Sequence, residues 1–86
     1  MSSFDDAFVV MAYMAFLNEP SAETGDNLAA ALADQHPALL SFEELSRTFR
    51  RHVSELQHSR LLDASGQAGV NLLNELIADC KGKGIS

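Results

Sequence analysis

Residues 47–60 hold Arg47, Arg50, Arg51, Ser54, His58 and Arg60, a concentration of hydrogen-bond donors and positive charge suited to an anion. A guanidinium fork matches a phosphate or the O6/N7 edge of guanine bidentately, and Ser or His hydrogen-bonds single phosphate oxygens. Arg47, Arg51, Ser54 and His58 lie at i, i+4, i+7 and i+11, one face of a helix, with Arg50 on its flank. On the opposite side Phe42, Leu45, Phe49, Val53 and Leu56 recur at steps of 3, 4, 4 and 3, a single apolar stripe. The pattern predicts a helix over 42–58 that packs inward and presents cations outward, opened by the capping box Ser41-Phe-Glu-Glu44. Its arginines admit three readings. They form a solvated face with pairs such as Glu43–Arg47, Glu44–Arg47 and Arg51–Glu55, each worth about 0.2–0.5 kcal/mol; or they contact nucleic acid; or they dock on an acidic protein.

The elements that must position this helix differ from it in charge. The first 46 residues contain eight carboxylates and no Lys or Arg, whereas the last 40 contain six cations and four carboxylates, so a net charge of −6 divides into −8 and +2. An acidic chain repels polyphosphates and anionic lipid, and contact with nucleic acid must therefore be local to the arginine segment. Glu43, Glu44 and Glu55 on the same helix reduce even that attraction.

At 86 residues the chain predicts one domain, 1–86, near the lower size at which a single core sustains itself, so burial against a partner is expected. One cysteine, Cys80, excludes an internal disulfide, fits a reducing compartment and points to the cytoplasm. His36, His52 and His58 do not share a helix face, and no Cys/His spacing suits zinc, so neither a metal nor another cofactor is expected. No nucleophile elbow, glycine-rich phosphate loop or paired carboxylates in a cleft are evident, which argues against an enzyme and leaves no catalytic residue to name.

Ala7 to Leu17 is eleven consecutive apolar residues, too short for a transmembrane helix, which needs about 20, and not preceded by the basic region of a secretory signal. Ser2 or Ser3 as cap, Asp5 and Asp6 in the first turn and Asn18-Glu-Pro20 as terminator predict a helix near 4–18. Around it Phe8, Val9, Val10, Met11, Tyr13, Met14, Phe16 and Leu17 cover nearly the whole circumference. These eight residues are expected either to form a dimer or partner interface or to make a central core helix with a few apolar residues exposed. A second helix is expected near 22–36, with Leu28 and Leu32 at i, i+4 and Pro37 as its stop. Arg60 to Asp63 reads as extended or turning, and Ala64 to Gly69 as either a hairpin or a helix-to-helix loop. Val70, Leu73, Leu76, Ile77 and Cys80 predict a fourth helix near 69–80, with 81–86 a frayed tail.

Ser46-Arg-Thr-Phe-Arg-Arg-His-Val-Ser-Glu-Leu followed by Gln-His-Ser-Arg-Leu-Leu-Asp resembles the recognition helix of the winged helix-turn-helix superfamily and the entry to its wing. The resemblance implies a mainly α, small four-helix domain, winged-helix-like, with residues 61–73 as a wing that is rudimentary or absent. It further implies double-stranded DNA as partner, met by Arg47, Arg50, Arg51, Ser54, His58 and Arg60 of a homodimer joined through the first helix. Winged-helix domains also serve as protein-binding modules, so the runner-up function is an adaptor or inhibitor that binds a larger complex through the apolar first helix or the acidic surface.

Overall fold

A computed structural model describes the backbone of residues 3–85 and the side chains of 7–81. These residues form five helices in the order α1 (Ser3–Asn18), α2 (Ala22–Gln35), α3 (Phe42–Arg51), α4 (Val53–Leu62) and α5 (Gln67–Ile85). The mainly α expectation holds, and the described residues contain no strand. Residues 61–73, expected as the wing, are the end of α4, a tight turn and the start of α5. The cap expected from Ser2 lies outside the described residues.

The boundaries follow from local chemistry. Ser21 opens α2 with a reciprocal box: its Oγ accepts from Thr24 N at 3.1 Å, and Thr24 Oγ1 accepts from Ser21 N at 3.0 Å. Ser41 Oγ accepts from Glu44 N at 3.4 Å at the head of α3. Between α4 and α5, Asp63 acts as the cap. Its Oδ1 accepts from Ser65 N at 3.1 Å and Ser65 Oγ at 2.7 Å, and its Oδ2 from Ala68 N at 2.8 Å. These bonds, the Ser65 hydroxyl foremost, hold the Asp63 carboxyl below its ordinary pKa. Gly66 supplies the left-handed conformation that this turn needs, at φ +79°.

Three expectations about the second half require correction. The helix expected over 42–58 is two helices, because His52 (φ −105°, ψ 11°) departs from helical geometry. The His52 backbone N–H donates to Phe49 O at 3.1 Å, and its ring Nδ1 donates to Thr48 O at 2.9 Å, which satisfies carbonyls that the break would otherwise orphan. Arg60 to Leu62, expected as extended or turning, complete α4, since its amides continue the i to i−4 ladder up to Asp63 N donating to Ser59 O at 2.9 Å. The helix expected over 69–80 begins at Gln67, where the Asp63 cap releases it, and runs on to Ile85. The glycines of the expected tail lower helix propensity by about 0.5–1 kcal/mol each but do not block the ladder as Pro does.

The core unites all five helices: Phe16 from α1, Leu28, Ala29 and Leu32 from α2, Leu45 and Phe49 from α3, Leu56 from α4, and Leu73, Leu76 and Cys80 from α5, with Leu40 from the α2–α3 connection. Helix α3 packs chiefly on α2, while α4 packs on α5. Helix α3 also meets α5, so the two halves of the apolar stripe share that neighbour across the break at His52. Phe42, expected at the head of the stripe, is exposed. The Phe16 and Phe49 rings lie 5.4 Å apart and tilted by 43°, a favourable aromatic contact. Gly25 makes room for them: a Cβ there would stand 3.2 Å from Phe16 Cε1 and 3.3 Å from Phe49 Cβ. Two polar bonds tie α1 and its following turn to the rest. Tyr13 OH donates to Asn74 Oδ1 at 2.8 Å, and Gln57 Nε2 donates to Pro20 O at 3.0 Å.

Candidate functional site

The six residues expected to meet DNA are divided between two helices. Arg47, Arg50 and Arg51 belong to α3, whereas Ser54, His58 and Arg60 lie beyond the break on α4. Arg50 is turned onto α2. Its Nε donates to Asp26 Oδ1 at 3.1 Å and its Nη2 to Asp26 Oδ2, a bidentate fork, while Ser46 Oγ donates to Asp26 Oδ1 at 2.6 Å. The Arg50 guanidinium and then the Ser46 hydroxyl hold the Asp26 carboxyl below its ordinary pKa, and the same carboxylate raises that of Arg50. Arg47 is exposed and 3.6 Å from Glu44. Arg51, Ser54, His58 and Arg60 are exposed, and none of their side chains makes an ion pair among the described residues. Arg60 lines a hollow of about 330 Å³ at the α4–α5 turn, together with Met14, Leu17, Asp63 and Ser65. Asp63 and the α5 amides there are already engaged with one another.

The second expected site was the apolar circumference of the first helix. The structure divides it. Phe16 is fully buried and belongs to the core of its own chain, so its assignment to an intermolecular interface is corrected. Val9, Tyr13 and Leu17 pack against that core. Burial pushes the Tyr13 phenol pKa up, opposed in part by its bond to Asn74. Phe8, Val10, Met11 and Met14 project outward, at 61%, 52%, 70% and 62% exposure. At 100° per residue these four, with Ala7 and Ala15, occupy an arc of about 160°, the complement of the arc spanned by Ala12, Phe16, Val9, Tyr13 and Leu17. The helix is apolar both on the side that faces the core and on the side that faces solvent.

Along one edge of this outward face runs a groove of about 580 Å³ between α1 and α2. Phe8 and Met11 form its α1 wall, the alanines at 12, 15, 30 and 31 its floor, and Asn27 and Asp34 its α2 wall. Small floor residues let another backbone approach closely, and Phe and Met supply apolar, adaptable contact. The signal for the α2 side of the groove was present in the sequence: Asn27, Ala30 and Asp34 fall at i, i+3 and i+7, opposite the buried Leu28 and Leu32, and Glu23 continues the same stripe one turn beyond the groove. No periodicity signalled the pairing of Asp26 with Arg50, which joins residues 24 apart across two helices.

No group of three or more His, Cys, Asp or Glu among the described residues is arranged to hold a metal ion. Cys80 is buried, with its thiol 3.6 Å from Thr48 Oγ1. Among the described residues, no helix is long and apolar enough to cross a membrane. The fold and its surface define a small all-α domain with an outward apolar helix face bordered by a groove that Asp34 lines. No protein-family model, no curated protein and no solved structure matches the chain.

Proposed function

We propose that the chain is a non-catalytic protein–protein interaction module, an adaptor or inhibitor that engages a larger partner through the outward face of α1. The observation that carries this reading is the set of four large apolar side chains, Phe8, Val10, Met11 and Met14, held more than half exposed on one side of a helix whose other side is fixed in the core. Contiguous apolar surface of this kind costs free energy in water and regains it on association, at about 25 cal/mol per Å² buried before ordering costs. The internal engagement of Arg50 by Asp26 and the nearness of Glu44 to Arg47 reduce the field that α3 presents to phosphate, which favours a protein partner over DNA.

A winged-helix-like homodimer on double-stranded DNA is the second reading. It is favoured by Arg47 and Arg51, both exposed near the end of α3. Titration of mixed-sequence duplex DNA at two salt concentrations separates the two. The interaction reading expects no steep salt-dependent binding, together with a partner retained from the source organism's extract by the wild-type chain and lost with Met11→Glu. Tight low-salt binding that is flattened by Arg47→Ala with Arg51→Ala would transfer the function to DNA.

A further inference from the structure

We propose that the α1–α2 groove receives a basic amphipathic helix from another protein, apolar side chains over its alanine floor and Lys or Arg against Asp34 and Glu23. This rests on the interaction reading above and adds the chemistry of the partner. The groove offers a helix-in-groove geometry: Phe8 and Met11 stand as a wall one turn apart, and the floor of Ala12, Ala15, Ala30 and Ala31 admits a helix at close range. Its charge selects the occupant. Glu23 and Asp34 lie exposed on one stripe of α2, eleven residues and so about 16 Å apart; Asp34 lines the groove, and Glu23 stands one helical turn beyond Asn27 of its lining. Neither makes an ion pair among the described residues, in contrast to Asp26 on the adjoining side of the same helix.

No Lys or Arg occurs anywhere in the first 46 residues to neutralise these carboxylates from within α1 or α2. A second copy docked symmetrically through the same groove would therefore set Glu23 and Asp34 near their own mates, a like-charge juxtaposition that disfavours an isologous pair. A partner carrying cations beside an apolar stripe relieves that repulsion and gains two charge-assisted contacts at the rim. The apolar stripe supplies affinity, and the spacing of the two carboxylates sets the register.

The test uses the full chain and two 18-residue helical peptides with the same leucine stripe, one with lysine flanks and one with glutamate flanks. The expected result is micromolar binding of the Leu/Lys peptide and at least tenfold weaker binding of the Leu/Glu peptide. Asp34→Asn and Glu23→Gln should each weaken the Leu/Lys peptide several-fold, and Ala30→Gln, which obstructs the floor without changing charge, tenfold or more. Glu75→Gln on α5 should leave it unchanged. All four sites are exposed, and circular dichroism of each variant establishes that the helices persist. Equal binding of both peptides, or a Glu75→Gln effect as large as that of Asp34→Asn, would overturn the proposal while leaving α1 as an interaction face. Light scattering that finds a stable dimer split by Ala30→Gln would overturn it in favour of a second copy. Binding of neither peptide, with no partner retained through Met11, would remove both the groove and the interaction reading.

Discussion

Helices α1 and α3 carry the two most conspicuous features of the chain, an unbroken apolar run and a cluster of arginines, and the fold treats them in opposite ways. On α3 two of the three exposed arginines stand beside a carboxylate of their own chain: Arg50 forks onto Asp26 of α2, and Arg47 lies near Glu44. On α1 the surplus apolar side is left facing water, with Met11 and Met14 among its most exposed residues. Arg50 finds a partner within the chain because Asp26 of the acidic α2 lies beside it. An apolar helix in so small a domain has too few neighbours to cover it. The feature that looks like a binding site in sequence is therefore partly structural, and the feature that looks like core is partly surface.

The sharpest test of that contrast compares substitutions on the two sides of α1. Phe16→Ala should cost about 3–5 kcal/mol in urea unfolding, because it empties a fully buried site against Phe49. Met11→Ala, on the outward side, should stay within about 0.5 kcal/mol. Similar losses at both positions would mean that the outward face is covered. Next in size, Gly25→Val should destabilise by about 1–3 kcal/mol, since its Cβ would meet the fully buried Phe16 ring at 3.2 Å and Phe49 Cβ at 3.3 Å, with two further methyl groups to place. That result would fix the α2–α3 seam as the place where the arginine helix is anchored. Gly66→Ala should cost about 1–2 kcal/mol through its φ of +79° alone, because open space surrounds the position.

The smallest effect probes the charges of the seam. The Asp26 pKa lies below its ordinary 3.8, so the stability it contributes is present in full above that pH and is lost as pH falls through its folded value. Thermal melts on the acid side of pH 4 should therefore decline less steeply for Asp26→Asn than for wild type. Parallel acid limbs in the two proteins would show that Asp26 and Arg50 are solvated separately in solution.

The helical class, the start of α3 at Ser41 and the buried residues Leu45, Phe49 and Leu56 were legible because each rests on a local period or a cap. The break at His52 was not. Arg51-His-Val53 contains neither Gly nor Pro, and the apolar period runs through it undisturbed; in the structure α3 packs chiefly on α2 and shares α5 with α4. The extension of α4 through Leu62 was obscured because Leu61 and Leu62 leave the stripe, and in the structure both are exposed. The apolar run of α1 was visible as needing burial on all sides, but which residues face the core depends on where α2 and α5 lie. Phe16 could not be separated from Met14 by sequence period alone. The α1–α2 groove required both helices in place before Asp34 and the alanine floor met.

The account is tested most directly by a photo-crosslinking amino acid placed in turn at Met11 and at Arg51 of the chain in its own cells. It predicts a discrete protein adduct from position 11, displaced by excess unlabelled wild-type chain, and no nucleic-acid adduct from position 51. Nucleic acid captured at position 51, with nothing captured at position 11, would contradict it.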